Sequence, residues 1–465
     1  MTAGGAAGWV RQPAVSGLFY PDDPVHLRAA VARHLAPADE EAGAVPPPKA
    51  VIAPHAGYRY SGGVAGAAYA AVAPHRGTVD RVVLAGPAHR VPVGGAGVGV
   101  STASAWHTPL GDVPVDADTC RGLVAGGGAV AADEAHAPEH SLEVHLPFLQ
   151  ETLGEVAIVP LVVGRCTARA LADVLDEVWG GDETLVVVSS DLSHYLDDAA
   201  ARRRDLRTRL AILEGRPGDI GPYDACGCVP IAGLMLAADD HQLGPHTLAV
   251  ATSADAAGDI SRVVGYGSFA FDTPRALTAD ERGWLLRRAR SAIASALLDE
   301  DAGDGDAAGD DEVPERVRLR GACFVTLDTA GELAGCIGSL EARRPLWVDV
   351  ARNARSAAFT DPRFPPLTAG DLDDTVISVS VLSALSPLPD GHDELVAALR
   401  PGVDGVLLQS GGHRGTFLPA VWDKLPSADE FVARLLGKAG LPGRRWPADA
   451  RAWRYTADEF SEAAP

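Results

Sequence analysis

Five residues of the first half carry side chains that bind metals or move protons, and four of them stand just past short aliphatic runs. His55 closes "VIAPH" and His89 closes "VVLAGPAH"; Asp191 and His194 follow three valines in "VVVSSDLSH". Cys226 lies in "DACGCVPI" (224–231), an irregular stretch ahead of a helical pattern. Neutral imidazole and thiolate suit iron, copper or zinc, and not magnesium or calcium. A closed structural zinc site takes four ligands, often from paired CxxC units, and the sequence contains no CxxC. Two histidines with one cysteine leave coordination positions open, as a catalytic metal requires. A second cluster, "PEHSLEVHLPFLQ" (138–150), adds His140, Glu143 and His145. It is not HExxH, because its histidines are five apart and a helix would not aim both at one metal. One of them can line a pocket while the other packs or caps.

Groups so far apart in sequence need a scaffold that gathers them. "KAVIAPHAG" (49–57), "DRVVLAGPAH" (80–89), "VAIVPLVVG" (156–164) and "TLVVVSSDLSH" (184–194) read as buried strands, and "GVAGAAYAAVA" (63–73) and "ARALADVLDEVWG" (168–180) as helical segments between them. The alternation predicts an α/β domain, a mainly parallel sheet flanked by helices. In such sheets ligands bind in the crevice outside the carboxyl ends of the strands, which is where the three strand-end histidines arrive. "RVVGYGSFAF" (262–271) reads as a closing strand. The texture changes near 275. "LTADERGWLLRRARSAIASALL" (277–298) is a helix, with Thr278 and Glu281 spaced as a capping box. The acidic, glycine-rich run at 299–315 reads as a flexible loop. The expected domains are therefore 1–275 and 276–465, with that loop inside the second.

The 465 residues exceed one ordinary core, and 47% are hydrophobic, so there is ample material to bury. A formal net charge of −22 argues against non-specific binding to nucleic acid or anionic membrane. No run of about 18 apolar residues predicts a membrane span, and "MTAGGAAGWVRQPAVSG" lacks the basic start and apolar core of a signal peptide. Six scattered cysteines form no disulfide framework, so a cytoplasmic location is expected.

The motifs "QPAVSGLFYPDDP", "APHAGYRYSG", "GPAHRV", "TPLGDVPVD", "EHSLEVHLPFLQ", "SSDLSHY", "CGCVPI" and "GDISRVVGYGSFAF" follow one another over residues 9–272. In that order they resemble the Memo (mediator of cell motility) family, also called AmmeMemoRadiSam system protein B. That family is similar in turn to class III extradiol dioxygenases of the LigB type, whose metal is non-haem iron. The resemblance implies His55, His89 and Cys226 as metal ligands, for iron first and copper second. It implies Asp191 and His194 as the pocket's acid and base, with His194 moving a proton and Asp191 orienting it or a metal-bound water. The competing structural reading is a buried Asp–His pair that caps the next helix. Cys228 falls where the family carries other residue types and is not counted as a ligand.

"GELAGCIGSL" (331–340), "ARNARSAAFTDPRFPPLT" (351–368), "ISVSVLS" (377–383) and "GHRGTFLPAVWDKLP" (412–426) resemble the AMMECR family, AmmeMemoRadiSam system protein A, over about 277–460. The resemblance implies an α+β second domain. Cys336, between glycines where the backbone can expose a thiol, is its candidate nucleophile or ligand; a small buried cysteine is the bland alternative. His413 and Arg414 are its other polar candidates. The family usually carries an arginine where this chain has Ala334, so any anion-binding role of that arginine is missing here. Together the resemblances imply an AmmeMemoRadiSam-system oxidoreductase with Fe(II), or Cu, acting on a small molecule or peptide, with a radical-SAM protein as a partner. A non-catalytic peptide- or partner-binding cleft and a metal-dependent hydrolase are the alternatives.

Overall fold

The computed structural model describes residues 8–35, 47–298, 313–441 and 446–463. The acidic run read as a loop lies outside the described residues, apart from its last three. The chain divides into two compact units, Met1–Arg275 and Ala276–Pro465.

The first unit is built on a nine-stranded sheet. Its centre is parallel, with Ala50–Ala53, Thr184–Ser189, Arg81–Pro87 and Ala157–Val163 as successive neighbours. On one side the antiparallel Val263–Asp272 continues the sheet and pairs with Gly244–Thr252 and His194–Leu196. On the other side lie Val98–Val100 and Val130–Ala131. Val186, Val187 and Val188 have no exposed surface. A strand covered on both faces has no polar side to alternate with, which is why these runs read as continuously apolar. The helix Cys228–Asp240 packs on the central strands and on Ala168–Glu177, while Tyr58–Val72 lies against Val263–Asp272 and Gly244–Thr252. A small sheet of Val10–Arg11, Ala105–Thr108 and Gly111–Pro114 was not anticipated. Its strands are too short for a period-2 pattern to register.

The second unit is α+β, and its strands pair antiparallel throughout the described residues. Ala279–Leu297 and Leu346–Phe359 pack together over the larger sheet. The first of these helices starts with the expected capping box. Glu281 N–H donates to Thr278 Oγ1 at 3.3 Å, and Thr278 N–H donates to Glu281 Oε2 at 2.8 Å, an arrangement worth about 1 kcal/mol. Among the described residues no helix is long and apolar enough to cross a membrane.

Candidate metal centre

Three adjacent parallel strands release polar residues at one end of the sheet. Two residues past Ala53 stands His55, two past Ser189 stands Asp191, and two past Pro87 stands His89. The carboxyl ends of the strands thus set the spacing, and the buried valines behind them fix it. His55 is 2% exposed. Its Nδ1 lies 2.6 Å from Ser189 Oγ, whose own hydroxyl donates to the Ser141 carbonyl at 2.6 Å. With that proton committed, Ser189 accepts from His55, so Nδ1 carries the hydrogen and Nε2 presents its lone pair. Burial, reinforced by the facing His89 and His140 rings, holds His55 well below the ordinary imidazole range and keeps it neutral.

His89 is oriented in the same way by a carboxylate. Its Nδ1 is 3.0 Å from Glu139 Oε1, and its backbone N–H donates to Oε2 at 2.6 Å. Glu139 also accepts the backbone N–H groups of His140 and Ser141, each at 2.9 Å, and His140 Nδ1 approaches it at 3.1 Å. Burial opposes ionisation of Glu139. The hydrogen bonds from the His140 and His89 rings and from backbone N–H groups outweigh it and hold the carboxyl well below its usual range. A carboxylate behind a ligating imidazole fixes its tautomer and raises its basicity.

The three rings meet. His55, His89 and His140 each offer one ligand atom, and these atoms lie within 4.8 Å of one another. Ring centroids are 5.1 Å apart for His55–His89, 5.4 Å for His55–His140 and 4.9 Å for His89–His140. Cys226 Sγ stands 3.4 Å from His55 Nε2. Nitrogen and sulfur donors on one tetrahedral ion, at roughly 2.1 and 2.3 Å, lie about 3.6 Å apart, so this pair fits a shared ion. Cys226 is held by reciprocal contacts: Asp191 N–H donates to its sulfur at 3.3 Å, and its own N–H donates to the Asp191 carbonyl at 3.2 Å. Burial and the nearby Asp191 carboxylate push the thiol up to about 12, so only a cation among these donors would make it a thiolate at neutral pH.

Asp191 is 5% exposed and accepts the His55 N–H at 2.8 Å. Burial raises its pKa, against the backbone hydrogen bonds and the potential of His194 and His140. His194 is half-buried and outside the three-ring group. Its Nδ1 donates to the Leu192 carbonyl at 2.8 Å, which leaves Nε2 free. The next residue, Tyr195, has φ 62°, a left-handed value that is rare for an aromatic residue, and the strand register shifts there. This kink turns the chain immediately after His194.

Two of the expected pocket residues lie elsewhere. Glu143 is fully buried in an ion pair with Arg11, 2.8 Å from Nη1, and accepts Ala14 N–H, Val15 N–H and Tyr20 O–H at 2.6, 3.0 and 2.8 Å. It is a structural anchor, because each oxygen is already occupied. His145 packs beside Tyr69, whose hydroxyl is 2.9 Å from Nδ1, and burial lowers its pKa to about 3. The tight turn after His140 sends the three side chains in different directions, and only His140 reaches the cluster. Arg11, Glu139 and Ser189 escaped the sequence reading. Only Glu139 left a signal, as a carboxylate directly beside a histidine.

In the second unit Cys336 is half-buried on the strand Glu332–Gly338. His413 Nδ1 donates to the Ala439 carbonyl at 3.0 Å, and Arg414 pairs with Glu341 at 2.8 Å in solvent. Both are satisfied locally, and the hydrogen bonds described for them do not involve Cys336.

The chain matches the family described as Memo-like protein over residues 11–270 and the AMMECR1 family over residues 286–460. It is 38% identical over 288 residues to the MEMO1 family protein MK0963 of Methanopyrus kandleri, covering 56% of this chain and 98% of that protein. It is 37% identical over 279 residues to the MEMO1 family protein MTH_45 of Methanothermobacter thermautotrophicus, covering 55% and 98%. Against a MEMO1 family protein of Aeropyrum pernix it is 37% identical over 283 residues, with the same shares. The crystal structure of uncharacterized protein PH0010 from Pyrococcus horikoshii is similar at 29% identity over 41% of this chain and 95% of that one. Its TM-score is 0.38, too low to carry a fold argument.

Proposed function

The chain belongs to the Memo-like protein family and carries an AMMECR1 domain besides, and from that premise we propose that its first unit is a redox enzyme holding one mononuclear metal ion. His55, His89 and Cys226 are the ligands, with His140 as a further donor from the same cluster. The observation that carries this reading is the group of three imidazoles within 4.8 Å, two of them with tautomers fixed from behind by Ser189 and Glu139. Imidazole and thiolate donors suit iron, copper or zinc, and the resemblance to LigB-type dioxygenases puts iron first and copper second. When bound, such an ion supplies Lewis acidity and a one-electron couple. The protein's own groups do the rest. Ser189 and Glu139 orient two ligands, Asp191 fixes the His55 backbone and the sulfur of Cys226, and His194 exchanges a proton at Nε2 with whatever is bound in the crevice.

Metal analysis after anaerobic purification tests it. We expect about one equivalent of iron or copper in the wild-type chain and at least tenfold less in His55→Ala, His89→Ala and Cys226→Ser. Glu139→Gln should bind more weakly by roughly 10–100-fold, as loss of an outer partner usually does. Full occupancy in the three ligand variants would refute the site. Retention of zinc alone, with no reversible oxidation, would refute the redox assignment.

A further inference from the structure

The strand His194–Leu196 carries a bulge. His194 pairs with Val264 and Leu196 with Val263, so Tyr195 is the extra residue between them. At φ 62° it holds the left-handed conformation that such a bulge normally gives to glycine. An aromatic side chain is strained there. Burial does not compensate, because Tyr195 is 65% exposed, so core packing does not explain the tyrosine. Bulges beside functional sites re-aim a side chain. This one sets the Tyr195 ring edge-on to the His194 ring, with centroids 5.5 Å apart and planes at 71°.

Arg262 completes the arrangement. Its guanidinium carbon lies 4.4 Å from the centroid of the Tyr195 ring, close enough for cation–π attraction. The segment leading into it is tied down. Asp198 N–H donates to the Ile260 carbonyl at 2.9 Å, and Asp259 Oδ1 accepts the Ser261 N–H at 2.9 Å and the Ser261 hydroxyl at 2.7 Å. The closest acid in sequence is thus spent on Ser261. Arg262 is exposed, and among the described residues it has no carboxylate or carbonyl partner. Its fork of N–H donors is therefore unspent, although the chain carries a net charge of −22. The His194 Nε2, on the other side of the tyrosine ring, is free as well. A guanidinium fork matches a planar carboxylate in both geometry and charge. A neutral ligand would leave it unused.

We propose that Tyr195 and Arg262 form the substrate-recognition wall of the crevice, where Arg262 takes the carboxylate of a small organic acid and the Tyr195 ring holds that guanidinium beside His194. The assignment rests on His194 facing the bound substrate, and it does not depend on which ion the imidazoles hold. Both residues determine specificity; neither is a ligand or a proton carrier.

Carbethoxylation of His194 by diethyl pyrocarbonate, read by mass spectrometry of its peptide in the full chain, tests the wall without a known substrate. Benzoate and benzamide serve as protecting probes, alike in shape, and only one carries a carboxylate. Half-protection of His194 should need about fivefold less benzoate than benzamide, the reach of a favourable exposed charge pair. In Arg262→Gln the two probes should protect equally. Tyr195→Gly relieves the bulge and removes the ring under the guanidinium, so the preference should fall while the unfolding temperature does not. His26, exposed on the helix Pro24–His34, should be protected by neither probe. Equal protection in the wild type, a benzoate preference kept in Arg262→Gln, or a His194 inert to the reagent would each overturn the proposal. A lower unfolding temperature in Tyr195→Gly with the preference intact would overturn it too, by making the ring a packing residue. Metal content of the same samples keeps the two readings apart. A metal-free chain that shows the Arg262-dependent preference counts against the metal centre alone, and a metal-loaded chain without it counts against the wall alone.

Discussion

Arg11→Met should destabilise the first unit by about 3–5 kcal/mol, the usual cost of breaking a buried ion pair from one side. Arg11 is 1% exposed. Its Nε donates to the His136 carbonyl at 2.9 Å, Nη2 to the Glu139 carbonyl at 2.6 Å and Nη1 to Glu143 at 2.8 Å, while the guanidinium lies 4.2 Å from the centroid of Trp106. Methionine fills similar space and keeps the packing on Trp106, so the loss isolates the charge and its hydrogen bonds. What remains is a buried Glu143 carboxylate without its cation and the Ala137 and Glu139 carbonyls without the guanidinium that donated to them, whereas the His136 carbonyl keeps the Glu139 N–H at 3.2 Å. Set against a typical total of about 5–15 kcal/mol, that is a large fraction. Urea unfolding followed by hydrogen exchange in residues 133–152 measures it. The double variant Arg11→Met/Glu143→Ala should lose clearly less than the sum of the singles, because both act on one network. A loss below about 1 kcal/mol, or strict additivity, would show that the pair is not what holds this segment. The same segment carries Glu139, so metal affinity should weaken in Arg11→Met although no ligand is altered.

This network also shows where the sequence ceased to be readable. The parallel strands were legible because burial on both faces leaves an unbroken aliphatic run, and His55, His89 and Asp191 were legible because each follows such a run. The helix at 279 was legible because a capping box acts over three residues. Arg11 was not legible. A lone arginine near an N-terminus reads as solvated, and its partners at 136–143 lie more than a hundred residues away. The choice among His140, Glu143 and His145 was equally hidden. It depends on a short turn whose direction is set by the Arg11–Glu143 anchor and by Glu139, not by any period in the local sequence. The fold class therefore follows from local pattern, whereas membership of the cluster follows from tertiary contacts.

His194→Ala should leave the metal in place and slow turnover on the order of a hundredfold or more, the size of a lost general acid or base. Three features of the geometry separate His194 from the ligands. The ligand atoms of His55, His89 and His140 form the close group without it. Its Nδ1 is committed to the Leu192 carbonyl, so only Nε2 is available, and the half-buried ring can meet both the crevice and water. The potentials of Asp191 and Asp205 both act with that of His194, and Asp205 is itself buried and anchors the Ser193 N–H at 3.0 Å. The variant should therefore fold, match the wild type in metal content, and fail at proton transfer. His194→Gln, which can keep a hydrogen bond but cannot carry a proton, should be nearly as slow. Metal content and turnover measured side by side decide the matter. Loss of metal together with activity would make His194 a ligand. Unchanged turnover in both variants would make it a structural residue that holds the Leu192 carbonyl, since the following helix is capped by Asp197, and the proton would have to move through Asp191 alone.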